Sequence, residues 1–336
     1  GCVGGRRARL RRASRRDGDA NHLIFGPRPA KRLAASVHSR ACRRLNERSM
    51  TQAARTDNLA DVLSRHVRDG GADIAIMHGE GEISYAALEV WVDHVAARLV
   101  ALGVKPGQAV GICLQDRPAH VAAIYAVLRA GCVVLPMDWR WTPVEQARTA
   151  ERHRVAAVFF EPNRPRPANI RAVVFDHHWE LAAVGSASAA RVASPSGAAP
   201  GDCGPSPKTG DEIANSPAIL GLSSGTTGEP VSVVITHAQY QARIDSFARS
   251  CRLEQADRYC SALPLAFSAG RLFAMLCLSR GGTVQLVPTM ASPAEIARCI
   301  VAFRSTTTCL VPNVTRAMLA VATGEAPLLP ALRVLM

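Results

Sequence analysis

The sequence predicts an α/β fold with largely parallel sheets. Three observations point there. From about Asn58 onward, short apolar runs alternate with longer stretches whose apolar residues recur every three or four positions, as when buried strands alternate with covering helices. The helical stretches open at Ser, Thr or Pro and close at Gly, the residues that cap and stop a helix. Hydrophobic residues make up 48% of the 336, so a large core is available.

The elements follow in order. Ser84-Tyr85 opens a helix with Leu88, Val92, Val95, Leu99 and Leu102 on one face, and Gly103 ends it. Val110, Ile112 and Leu114 alternate as a strand. Pro118 starts a second helix with Val121, Ile124, Tyr125 and Leu128 on one side, stopped at Gly131. Val133–Leu135 is the next strand, Thr142-Pro143 caps a third helix, and Val155–Phe160 and Val173–Phe175 are strands. Residues 184–210, rich in Ala, Ser, Gly and Pro, form a surface linker. Beyond it a helix runs from Gln239 to about Ser250, and Tyr259–Leu263 is a strand. A helix then ends at Arg280 before Gly281-Gly282. Thr283–Val287 is a strand, Ser292-Pro293 caps a helix through Phe303, and Thr307–Val311 is a strand. Pro312 to about Ala320 is helical, and Leu332–Met336 begins another buried strand. Three divisions follow for the ordered part: a first α/β subdomain over 50–183, the linker, and a second subdomain over 211–336.

The formal charge of +13 suggests a nucleic-acid partner until its distribution is read. Residues 1–49 hold 14 Lys+Arg and 3 Asp+Glu, which leaves 26 basic and 24 acidic residues to the remainder. The basicity therefore belongs to an Arg-rich, unstructured leader, and no nucleic-acid partner is expected. Two origins fit that leader: sequence upstream of a natural start at Met50, or a transit peptide. No apolar run reaches the length of a membrane span, so no stable membrane insertion is expected. The ten cysteines form no C-x-x-C pair and suit a reducing cytoplasm. Adjacent His177 and His178 point apart with no third ligand near, so a solvated loop is the better reading.

The chemistry concentrates at Ala218–His237. Two aliphatic runs, Ala218–Leu222 and Val231–Ile235, read as buried strands around Ser223, Ser224, Gly225, Thr226, Thr227 and Gly228. Glycine lets backbone N–H groups approach an anion closely, and four hydroxyls add donors, so such a loop can hold phosphate oxygens. A solvated turn is the bland alternative. A Walker loop is excluded, because the chain contains no Gly-Lys pair. Gly221-Leu222-Ser223-Ser224-Gly225 also fits G-x-S-x-G, the nucleophile elbow of α/β-hydrolases. That elbow runs from strand into helix, whereas here a β-branched run follows.

This stretch, with its downstream Thr236-His237 pair, resembles the phosphate loop of the adenylate-forming superfamily of acyl-CoA synthetases, luciferases and peptide-synthetase adenylation domains. Three further segments carry the likeness: Ile83-Ser84-Tyr85-Ala86-Ala87-Leu88, Arg129-Ala130-Gly131 with Leu135-Pro136-Met137-Asp138, and Pro264-Leu265-Ala266-Phe267-Ser268-Ala269-Gly270. The family has Lys directly after the loop proline; this chain has Val231. The family's His in the last segment is Phe267 here. The resemblance implies two stacked α/β subdomains, as in the large N-terminal domain of these enzymes. It implies ATP and Mg²⁺ as cofactors and activation of a carboxylic acid, fatty acyl or aryl, to an acyl-adenylate, then transfer to a thiol, commonly that of coenzyme A. Ser223–Gly228 would hold the departing phosphates, Ser223 would stand near Mg²⁺, and His237, Phe267 and Gly270 would border the acyl group. His237 as a plain helix-start residue and Phe267 as a core residue are the competing readings. The family's Mg²⁺-binding Glu and catalytic Lys belong to segments that follow the ones matched here, so little adenylation by this polypeptide alone is expected. A hydrolase using Ser223 and a non-catalytic nucleotide-binding remnant are the alternatives.

Overall fold

The structure is a computed structural model that describes residues 58–79, 81–162, 164–174, 209–223, 231–288, 290–321 and 329–336. The expected leader, His177, His178 and most of the 184–210 stretch lie outside the described residues.

Two six-stranded sheets organise the chain. The first contains β3 (Ala109–Cys113), β4 (Val133–Pro136), β5 (Ala157–Phe160), β6 (Ala172–Val174), β7 (Pro217–Ser223) and β8 (Val231–Thr236), in the order β6-β5-β3-β4-β7-β8. The second contains β1 (Ile74–His78), β2 (Gly81–Ser84), β9 (Arg258–Ser261), β10 (Thr283–Leu286), β11 (Thr307–Thr308) and β12 (Val334–Leu335), in the order β12-β11-β9-β10-β1-β2. All pairings are parallel except the hairpins β1–β2 and β7–β8. The sheets are not segregated by sequence. The hairpin at 74–84 joins the later sheet through Ile76↔Val284, and the hairpin at 217–236 joins the earlier one through Val134↔Ile219. Each stretch expected on either side of residues 184–210 therefore lends a hairpin to the other's sheet.

The helices among the described residues are α1 (Asp61–Arg68), α2 (Tyr85–Ala101), α3 (Pro118–Arg129), α4 (Pro143–Arg152), α5 (Gly210–Asn215), α6 (His237–Cys251), α7 (Ser268–Ser279), α8 (Pro293–Ala302) and α9 (Pro312–Val321). Their starts follow from local chemistry. Ser84 accepts the Ala87 N–H at 3.2 Å, and Thr142–Glu145, Thr209–Glu212, Thr236–Gln239 and Ser292–Glu295 form reciprocal capping boxes. The end of α3 needs Gly131, which sits at φ +68 so that Cys132 N–H can return to Val127 O at 2.9 Å.

One large apolar cluster joins α1, α2, α3, α6 and α7 to one face of each sheet. The opposite face of the first sheet packs on Ala150 of α4, and that of the second on Ile296 and Ile300 of α8 and Met318 of α9. The result is five layers: helix, sheet, helices, sheet, helix. This placement corrects three expectations. β3 is buried at all five positions, not alternately, because β4 and β5 flank it and helices cover both faces. Every residue of α3 from Ala119 to Leu128 is buried, not one side, because it lies between the sheets. The run expected to be a buried strand at Val231 is an edge strand among the described residues, with Val233 53% and Val234 52% exposed.

The two sheets contain the same winding. β3-α3-β4-α4-β5 matches β9-α7-β10-α8-β11: in each, the second strand pairs on one side of the first and the third strand on the other. The crevice between adjacent strands whose connections leave in opposite directions is where open α/β sheets bind ligands, at their carboxyl ends.

Candidate functional site

The antiparallel rung Ser223↔Val231 closes the hairpin of β7 and β8, so residues 224–230 connect two paired strands. Because β7 runs parallel to β4, that connection leaves the carboxyl edge of the first sheet. Ser224, Gly225, Thr226, Thr227 and Gly228 lie outside the described residues, as does the side chain of Ser223, so the Mg²⁺ role expected of it has no structural account. The backbone nevertheless meets the strand–loop–strand expectation. A nucleophile elbow passes from strand into helix, whereas here the next described element is a strand pairing back on β7.

At the same carboxyl edge, β3 hands over to Gln115 and Asp116 and β4 to Asp138 and Arg140. Gln115 donates its N–H and its Nε2 to Glu161, at 3.1 and 2.8 Å. Arg140 binds Asp138 at 2.6 to 3.1 Å; against the burial that raises it, these bonds hold the Asp138 carboxyl below the usual carboxylate range. The loop after β9, in the other sheet, reaches this edge. Leu265 N–H donates to Asp116 Oδ1 at 2.7 Å, and the Arg140 guanidinium lies 5.7 Å from the Phe267 ring centre. Burial pushes Asp116 up to about 6, opposed by the Leu265 N–H. The carboxyl ends of the two repeated windings thus face one another through named side chains.

Phe267 is the N-cap residue of α7 and is 49% exposed, so it is not a core residue. Gly270, one turn in, has no room for a side chain: a Cβ there would stand 2.3 Å from Pro264 O and 2.5 Å from Leu263 O. Its absence lets the helix start press against the loop. The structure brings Phe267 and Gly270 together with Asp116 and Arg140 at this edge.

His237 is placed elsewhere. It is buried at the start of α6, its backbone N–H bonds Ser216 O at 3.2 Å, and its Nδ1 accepts Leu59 N–H at 3.1 Å. Ser216 precedes β7, so His237 sits at the opposite end of the hairpin from the hydroxyl loop, roughly 20 Å away at a strand's rise per residue. Tyr85 is structural, its hydroxyl donating to Gly282 O at 2.7 Å. Asp116, Arg140 and the buried Arg271 were not singled out in the sequence. The signal for Asp116 was present, a carboxylate just past a strand and just before a helix-starting proline, but it gains meaning only once the second sheet meets it. Among the described residues no group of three or more His, Cys, Asp or Glu side chains could hold a metal ion.

The model of the AMP-binding enzyme family matches residues 63–336. Curated relatives include the nonribosomal peptide synthetase hkm11 of Aspergillus hancockii, 27% identical over 73% of this chain and 18% of that protein. Another is the phenyloxazoline synthase MbtB of Mycobacterium tuberculosis, 28% identical over 78% of this chain and 17% of that protein. A third is the indoleacetate–CoA ligase of Aromatoleum aromaticum, 28% identical over 78% of this chain and 51% of that protein. Solved structures of the same fold include the nonribosomal peptide synthetase FmoA3 with AMPPNP bound. It has TM-score 0.67 and 22% identity, and the match covers 82% of this chain and 28% of that one. The N-terminal subdomain of Klebsiella oxytoca NpsA, in complex with 3-hydroxybenzoyl-AMSN, has TM-score 0.64 and 17% identity, over 79% of this chain and 63% of that one. The chain spans about half or less of the length of these curated relatives.

Proposed function

This chain belongs to the AMP-binding enzyme family, and from that premise we propose that it binds ATP and carries part of the site that activates a small carboxylic acid as an acyl-adenylate. The observation that supports this reading most is the β7–β8 hairpin, which holds Ser223 and Val231, the residues that flank 224–230, at the sheet's carboxyl edge. Activation brings a carboxylate to the α-phosphate while pyrophosphate leaves, so negative charge must be met by donors fixed in advance. Backbone N–H groups beside Gly225 and Gly228 and the hydroxyls of Ser223, Ser224, Thr226 and Thr227 are the donors for the departing phosphates. Mg²⁺ would neutralise phosphate charge when bound, with Ser223 nearest to it. Phe267 and Gly270 form the acid's side of the site, His237 anchors the start of α6 away from it, and the thiol acceptor is coenzyme A.

Val231 leaves the loop without the cation that the family places there, which supports a second reading: a nucleotide-binding module without turnover. Calorimetric titration with AMPPNP and Mg²⁺ tests both. Binding is expected, and the double substitution Thr226→Ala/Thr227→Ala is expected to weaken it about tenfold, roughly 1.4 kcal/mol. No detectable binding by the unsubstituted chain would remove both readings. Pyrophosphate–ATP exchange across a panel of fatty and aryl acids separates them, and transfer to coenzyme A against a carrier-protein thiol identifies the acceptor.

A further inference from the structure

Among the described residues the two sheets end in four edge strands, and three of these are guarded. β6 has three residues and follows the exposed Arg171. β2 has four, the exposed Glu82 among them. β12 has two and follows Arg333. Short length and a charge are the usual means of keeping a sheet edge from pairing with another chain. β8 has neither. Its six residues, Val-Ser-Val-Val-Ile-Thr, include no charge and no proline, and among the described residues no strand pairs with its outer side.

β8 is also bare on its two faces. Ile235 packs against the large apolar cluster, which places Val233, two residues away, on the same face and Val234 on the other. Val233 is 53% exposed and Val234 52%. Val234 lies across from Leu220, itself only partly buried. Apolar surface on both faces, beside unpaired backbone donors and acceptors, is what one further strand would cover.

The geometry also selects the occupant. The rungs of the β7–β8 hairpin run in regular succession from Ser223↔Val231 to Ile219↔Ile235, and the register shifts only beyond Ile235. The straight edge is therefore 231–235, centred on Val233. Such an uncharged segment is complementary to itself. A two-fold axis through Val233, normal to the sheet, opposes Val231 to Ile235, Ser232 to Val234 and Val233 to its own copy, and keeps like faces together. We propose that β8 is a dimerisation edge, at which a second copy of this chain adds its own β8 antiparallel about Val233 and joins the two first sheets into one. The guarded β6 at the far edge stops the assembly at two copies. The two 224–230 connections leave from opposite ends of the paired strands, so neither covers the other. One strand pair falls short of the roughly 800 Å² per partner of a standard interface, so the dimer is reversible and depends on concentration. The inference is independent of nucleotide or acid binding.

Sedimentation velocity of the full chain over a concentration series tests it. A reversible monomer–dimer equilibrium is expected. Val233→Lys sets like charges against each other at the axis and should raise the dissociation constant about tenfold or more. Val100→Lys, on α2 and 60% exposed, should leave it unchanged. Mild oxidation with copper phenanthroline reads the position. Opposed Cα atoms in an antiparallel pair lie about 4.5–5.5 Å apart, within disulfide reach. Val233→Cys should therefore link two copies above the parent's background, and Ser232→Cys, which faces Val234 of the second copy, should not. If Val233→Lys does not fold, the cysteine variants decide, since valine to cysteine barely changes the side chain's size. A monomer at every concentration overturns the proposal. So does a dimer that Val233→Lys leaves unweakened, or one that links through Ser232→Cys as readily as through Val233→Cys. Open-ended oligomers in place of a closed dimer also count against the two-fold pairing.

Discussion

Asp116 shows how much a single carboxylate can report. Burial raises its folded pKa to about 6, above the value of roughly 3.9 in an unfolded chain. An acid shifted upward favours the folded state below the unfolded pKa, and that contribution is lost as pH climbs through the folded value. Ionised Asp116 is thus a cost above about pH 6. Asp116→Asn keeps an oxygen for the Leu265 N–H and removes the cost. Its stability relative to the parent, measured by urea unfolding, should improve by about 2 kcal/mol between pH 4 and pH 7 and then level off. A flat difference across that window would show that the carboxyl is not desolvated. Sequence reading did not reach this residue because its environment comes from Leu265, 149 positions away.

At the level of elements, legibility followed locality. The starts at Ser84, Thr142 and Ser292 were visible because a cap and the residue it serves lie three positions apart. The strand–loop–strand form of 217–236 was visible because β-branched runs flank turn residues. Whether an element would be covered was not visible. Val231–Ile235 has the composition of a buried strand yet lies at an edge, and α3 carries more apolar surface than one face because sheets lie on two sides of it. The β1–β2 hairpin and α1 were not anticipated, since each is short and takes its partners from far along the chain. The start of α7 gives a prediction at this scale. Gly270→Ala must displace the Leu263 and Pro264 carbonyls, which are backbone and cannot swing aside. A loss of about 2 kcal/mol is expected in urea unfolding, together with altered acid preference, since Phe267 moves with the loop. An unchanged midpoint would mean that the helix start is looser than it looks.

For the molecule as a whole, the fold class was legible from alternation, but the assignment of strands to sheets was not. Alternation gives order along the chain; pairing is decided by which hydrophobic faces can be closed together. Since each sheet borrows a hairpin across residues 184–210, neither side is expected to fold alone. Residues 58–183 would lack β10 beside β1 and β7 beside β4, and residues 209–336 would lack the complementary strands. Produced separately, each should give poorly dispersed amide spectra, and mixing should restore dispersion. A well-dispersed spectrum from either piece alone would show that the shared middle helix layer is less binding than the topology implies.

The borrowed first hairpin also sets a schedule. Ile76 must find Val284, roughly 200 residues later, so at ribosomal speeds of about 5–20 residues per second the earliest strands leave the exit tunnel some 10–40 s before their neighbour is made. For that interval Ala75 and Ile76, both fully covered in the finished sheet, have no strand to lie against except β2. Synonymous changes that slow translation before residue 284 should therefore lower the chain's yield more than equal delays after it, and added holdase chaperone should narrow that difference.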